Sequence, residues 1–77
     1  MSMETIMQII ADNLTDVPQL TETTSLRAEL NVDSLDVIMI INALEDEFSL
    51  TIDEDDFVEV DTPAEIFNLL KSKYSVE

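Results

Sequence analysis

Residues 33–48 read Asp33-Ser34-Leu35-Asp36-Val37-Ile38-Met39-Ile40-Ile41-Asn42-Ala43-Leu44-Glu45-Asp46-Glu47-Phe48. Within this run Val37, Ile40, Ile41, Leu44 and Phe48 recur at three- and four-residue steps, the period of a helix with one buried face. Asp33 is a good cap, so the spacing predicts a helix over Ser34–Phe48. Ile38 and Met39 widen the stripe beyond what one core contact needs, and Leu35 falls off it beside the cap, where it should be exposed. Ser34 raises a question of chemistry. The chain contains no histidine and no cysteine, so a serine here has no imidazole to activate it.

Upstream, Ser2 can cap a first helix, placed at about Met3 to Leu14, whose apolar positions Ile6, Ile9, Ile10 and Leu14 follow helical spacing. Thr15 to Asn31 shows no sustained period. Connections longer than about 12 to 15 residues are uncommon in compact domains and often functional, and Val17, Leu20, Leu26 and Leu30 are expected to pin this one across the helices. Downstream, Leu50 and Ile52 offer core contacts, followed by one short helical turn near Glu54 to Val58. Thr62-Pro63-Ala64-Glu65 then combines a cap, proline at the first helical position and a capping-box glutamate. Ile66, Phe67, Leu69, Leu70 and Tyr74 supply that helix's buried face, and Lys71 and Lys73 suit the negative end of its dipole. TETTSL and SLTI are the strongest strand candidates, but both are short and no hairpin turn joins alternating runs. The expected fold is all-α: a small bundle of three main helices and one short helix, with a long loop between the first two, forming a single domain over residues 1–77.

A hydrophobic fraction of 45% in 77 residues is that of a small globular domain. Without cysteine or histidine, disulfides, zinc sites and Ser-His-Asp or Cys-His catalysis have no residues to work with. Eighteen acidic residues against three basic ones give a formal charge of −15, which repels phosphate backbones and anionic lipid surfaces and attracts basic protein surfaces. Neither nucleic-acid binding nor membrane insertion is expected, and with no membrane span or basic secretory start the default compartment is the cytoplasm. A monomer is expected. Asp53-Glu54-Asp55-Asp56 lacks the glycine and the ligand alternation of an EF-hand loop, so no dedicated metal site is assigned.

Asp33-Ser34-Leu35-Asp36 can be read simply as a helix start, with Asp33 as the cap and Asp36 favourable to the dipole. Another reading is chemical. A hydroxyl in the first turn lies near unpaired backbone N–H groups, which suit a phosphate attached to its oxygen. Since no local base could activate Ser34, that group would be installed by a partner, and Ser34 would be an attachment point, not a nucleophilic catalyst.

The first amphipathic helix, the long loop, LNVDSLDVIMIINALEDEFSLTI and DTPAEIFNLL together resemble an acyl carrier protein over nearly the whole chain. The resemblance implies a carrier and not an enzyme. Ser34 would be esterified by 4'-phosphopantetheine, moved from coenzyme A by a phosphopantetheinyl transferase (holo-carrier synthase), and the arm's thiol would carry acyl groups as thioesters. Asp33 and Asp36 would help position Ser34, with Leu35 as an exposed apolar anchor. Asp36, Glu45, Asp46, Glu47, Asp53, Glu54 and Asp56 would form an acidic face for acyl transferases and synthases with basic docking surfaces. Val37, Ile38, Ile41, Phe57 and Val58 would line the acyl cleft, while Ile40, Leu44, Phe48, Ile52, Ile66 and Leu70 would be core.

Three positions depart from the pattern. Asn31 replaces a glycine common before the motif and can adopt the same left-handed backbone at some cost. Met39 stands where fatty-acid carriers commonly place a glutamate, leaving the recognition face locally apolar, and Asp53 stands where they often have proline. The resemblance implies a carrier for fatty-acid, polyketide or related specialised biosynthesis, and Met39 and Asn42 fit the housekeeping fatty-acid enzymes imperfectly, which leaves a specialised carrier open. Two alternatives stay open: a D-alanyl or peptidyl carrier, which the Asp61-Thr62-Pro63 helix start resembles, and an acidic interaction module without a prosthetic group.

Overall fold

The computed structural model describes residues 1–14 and 19–77. In chain order it contains α1 (Met3–Asp12), α2 (Ser34–Phe48), a 3-10 turn (Glu54–Phe57) and α3 (Pro63–Ser72). Among the described residues there is no strand, so TETTSL and SLTI serve as connections.

Each helix begins where its cap dictates. Ser2 Oγ accepts from the Thr5 N–H at 3.1 Å to start α1. Asp33 and Asp36 form a reciprocal capping box on α2, and Thr62 and Glu65 form another on α3, where Pro63 takes the first helical position. Two orphan donors are satisfied at each of these helix starts. The ends are less regular. α1 stops at Asp12 and not at Leu14, because Asn13 leaves helical geometry and its side-chain amide donates to the Ile9 carbonyl at 2.8 Å. The 3-10 turn closes at Phe57, one residue before the expected Val58. Tyr74 lies beyond the end of α3 but is half-buried and still packs against the core.

The apolar stripes converge on one cluster. Ile6 and Ile10 of α1, Ile40, Ile41 and Leu44 of α2, and Ile66 and Leu70 of α3 are all buried, with Ile52 and Phe57 closing the side toward the turn. Phe48, expected as core, is only half-buried at the edge. Among the loop residues Leu26 is buried, Leu20 and Leu30 pack at the periphery, and Val17 lies outside the described residues. Val32, which no period singles out, is also buried.

The long loop is joined to the segment between the 3-10 turn and α3 by a set of hydrogen bonds centred on Asp61. Its carboxylate accepts from the Ser25 hydroxyl and from the Arg27 N–H at 3.0 Å, and its carbonyl accepts from the Leu26 N–H at 2.8 Å. Burial pushes the Asp61 carboxyl up, but the bonds from Ser25 and Arg27 and the nearby guanidinium outweigh it and hold the group below the usual carboxylate range.

Candidate functional site

Ser34 occupies the first position of α2 and is exposed. What brings it there is the short run before the helix. Asn31 adopts a left-handed backbone (φ 55°), a conformation asparagine tolerates better than most residues. Val32 plugs into the core, and Asp33 turns its carboxylate onto the Asp36 N–H at 3.0 Å. Asp36 returns the bond, accepting from the Asp33 N–H at 3.2 Å. Both flanking carboxylates are thus committed to holding the first turn.

A cavity of about 290 Å³ lies between the N-terminal half of α2 and the 3-10 turn, with Ser34 on its lining. Val37, Ile38, Ile41, Phe57 and Val58 all contribute to its walls, so five positions drawn from two separate segments share one space. Arg27 and Val32 line it as well. Neither was singled out from the sequence, although Arg27 is the chain's only arginine in a strongly acidic background, which is the signal that could have drawn notice.

Leu35 (64% exposed), Ile38 (38%), Met39 (42%) and Val58 (68%) form the exposed large apolar residues of the described surface, Ile38 and Val58 at the cavity and Leu35 and Met39 off its lining. Leu35, Met39 and Asp46 fall along one strip of α2 by their four- and seven-residue spacing. Asp46, Glu47, Asp53 and Glu54 are exposed. Besides Asp36 in its capping box and Asp53, whose carboxylate accepts from the Asp55 N–H at 2.9 Å, two more of the acids expected on the same face are engaged within the chain. Glu45 accepts from the Ile52 N–H at 2.8 Å and so closes the connection after α2. Asp56, its side chain only 15% exposed, is paired with Lys73 and Tyr74. Lys73 therefore serves an ion pair, whereas Lys71 stands over the Phe67 ring at 5.8 Å. Among the described residues no helix is long and apolar enough to cross a membrane.

Comparison with known proteins agrees with this geometry. The family model of the phosphopantetheine attachment site matches residues 4–70. The chain is 34% identical to an acyl carrier protein of Saccharopolyspora erythraea, over 86% of this chain and 70% of the relative. It is 35% identical to one of Lactobacillus acidophilus, over 87% and 85%, and 31% identical to one of Petrotoga mobilis, over 96% and 88%. The fold is similar to that of a candidate acyl carrier protein from Mycobacterium tuberculosis, with a TM-score of 0.75 and 29% identity over 86% of this chain and 89% of the other. The chain belongs to the acyl carrier proteins, which are carriers and not enzymes and which hold 4'-phosphopantetheine covalently.

Proposed function

We propose that Ser34 is the residue that bears 4'-phosphopantetheine, and that the cavity between α2 and the 3-10 turn shelters the acyl group. The observation that carries this reading is the placement of Ser34, exposed at the first position of α2 and on the lining of a cavity that it shares with Val37, Ile38, Ile41, Phe57 and Val58. The residues present fit such a group. First-turn N–H groups suit a phosphodiester, and Arg27 puts one positive charge on a lining that also carries Asp33, Glu54 and Asp55. When bound, 4'-phosphopantetheine supplies the thiol that this chain lacks. Asp33 and Asp36 keep the first turn of α2 in place through their capping bonds, and activation of the Ser34 hydroxyl falls to the transferase. Val37, Ile38, Ile41, Phe57 and Val58 exclude water from the sheltered chain.

Partner enzymes would meet Leu35 and Met39 as an apolar centre, with Asp36, Asp46, Glu47, Asp53 and Glu54 as an acidic rim that steers a basic surface. Internal pairing removes Asp56 from that rim and leaves Glu45 a mainly structural part. Met39 at the middle of the exposed strip supports a specialised synthase, of polyketide or related type, over housekeeping fatty-acid enzymes. We read the chain as a monomeric, single-domain cytoplasmic carrier. The D-alanyl or peptidyl alternative predicts loading by an adenylating enzyme with an amino acid in place of a malonyl or acyl transferase. The test is the intact mass after incubation with coenzyme A, magnesium and a broad-specificity phosphopantetheinyl transferase. A gain of one arm, absent from Ser34→Ala, supports the reading, and no gain by a folded chain refutes it.

A further inference from the structure

Arg27 sits in the long loop, far in sequence from the 3-10 turn, yet its guanidinium reaches the turn's end. One Nη donates to the Val60 carbonyl at 2.8 Å and the other to the Phe57 carbonyl at 3.0 Å. These two carbonyls bracket Val58, the most exposed of the cavity's apolar residues. The fork therefore fixes both sides of the segment that forms the cavity's lip, and Arg27 itself lines the cavity beneath it. The other side of the turn is held independently, by Lys73 and Tyr74 on Asp56. The wall facing α2 is thus fastened at two points, to the loop and to the chain after α3. Along the cavity it presents Phe57 and Val58, beside Glu54 and Asp55.

A wall fastened in this way limits what the cavity can take. An engineered apolar cavity of roughly 150 Å³ accommodates benzene, so on the same scale a space of about 290 Å³ shelters a dozen or so carbon atoms. A longer chain must either push the wall outward or leave its end in water. Moving the lip away from the loop breaks two hydrogen bonds to a charged donor, which are among the stronger ones available to a protein. We propose that Arg27 is a specificity-determining residue: by holding the Phe57–Val60 segment it fixes the depth of the cavity and restricts this carrier to medium-length apolar acyl chains. This rests on the reading that the arm is borne by Ser34 and its cargo enters this cavity.

The test compares the wild-type chain with Arg27→Met, and with Arg27→Lys, which keeps the charge but cannot fork onto two carbonyls. Each is loaded with butanoyl, octanoyl, dodecanoyl or hexadecanoyl arms, and intact mass establishes loading. Sheltering is followed by the amide shifts of Val37, Ile41 and Phe57 and by the rate of thioester loss to hydroxylamine. In the wild type, protection should rise up to dodecanoyl and gain nothing with hexadecanoyl. In Arg27→Met the hexadecanoyl form should become several-fold better protected, with Arg27→Lys between. An identical length limit in all three overturns the proposal. A second readout uses the chain before loading: Arg27→Met should speed hydrogen exchange at the Val58 and Val60 amides and leave Ile40 and Leu44 unchanged. Unchanged exchange at Val58 and Val60 also overturns it. Altered exchange there, with shifts near Val37 and Ile41 absent for every cargo, shows that the wall is held as stated but that the cargo lies elsewhere, which overturns the length limit and the underlying reading together. If Arg27→Met does not fold, Arg27→Lys is judged by the same criteria.

Discussion

Lys73 Nζ lies 2.6 Å from Asp56 Oδ1, while the Tyr74 hydroxyl donates to the other carboxylate oxygen of Asp56. The same hydroxyl accepts from the Asp53 N–H at 2.9 Å. The two residues after α3 thereby grip the start and the middle of the 3-10 turn that walls the cavity. The bond from Lys73, then that from Tyr74, hold the Asp56 carboxyl below its ordinary range against an opposing push from burial. Lys73 is raised in return, chiefly by its bond to Asp56, and Tyr74 is raised by burial and by the same carboxylate.

These shifts have a definite sign. Because Asp56 is more acidic folded than unfolded, its contribution is complete above the ordinary carboxylate value of about 4 and is lost as pH falls through the lower folded value. Lys73 and Tyr74, raised in the fold, contribute fully below their ordinary values near about 10 and lose that contribution as pH rises through the folded ones. The Tm difference between wild type and Asp56→Asn should therefore be widest near neutrality and close toward both extremes. A pH-independent difference would show that the pair adds nothing electrostatic. Comparison with the variant is needed because acid also relieves repulsion among the other carboxylates.

Asp61 joins the loop to the segment before α3 through Ser25, Leu26 and Arg27. Asp61→Ala leaves the Arg27 N–H and the Ser25 hydroxyl without their acceptor and should cost about 1–3 kcal/mol in urea unfolding. Since Ser25→Ala removes part of the same bond set, the double variant should lose clearly less than the sum of the two. Strict additivity would mean that the two residues act separately.

The chain has no glycine, yet Ser49 ends α2 in the left-handed region at φ 54°. A non-glycine residue there costs about 1–2 kcal/mol, partly offset against glycine's larger loss of freedom, so Ser49→Gly should stabilise by about 0.5–1 kcal/mol. Asparagine tolerates that region, so Asn31→Gly at φ 55° should change stability little. Equal gains at both sites would contradict the distinction.

With a formal charge of −15, screening should favour the compact state. Added sodium chloride, or millimolar magnesium, is predicted to raise Tm. A Tm that falls or does not move counts against a role for self-repulsion.

The helices were legible because their signals are local. Asp33 with the stripe from Val37 to Phe48 marks α2 from one end to the other, and Thr62-Pro63 with Glu65 marks the start of α3. The cavity was legible only through the resemblance to the acyl carrier proteins, which implied Val37, Ile38, Ile41, Phe57 and Val58; its one sign in the residues themselves was the stripe of α2, which Ile38 makes wider than the core needs. What escaped joins residues far apart. The Arg27 fork onto Phe57 and Val60, the Asp61 junction and the Tyr74 bond to Asp56 have no periodic signature, because hydrogen bonds to backbone carbonyls and single carboxylates ask nothing of the intervening sequence. Glu45 and Asp56 read as surface acids for the same reason. Val32 was hidden between a left-handed asparagine and a cap, where no stripe runs.

The central claim concerns one serine among six, since the chain also carries Ser2, Ser25, Ser49, Ser72 and Ser75. The most direct measurement is proteolysis of the loaded chain followed by fragment-ion sequencing to locate the 4'-phosphopantetheine. The account predicts the arm on Ser34 alone, with the Asp33-Ser34-Leu35-Asp36 peptide converted and the other serines unmodified. An arm found on any other serine, or a loaded chain whose Ser34 peptide stays unmodified, would contradict it.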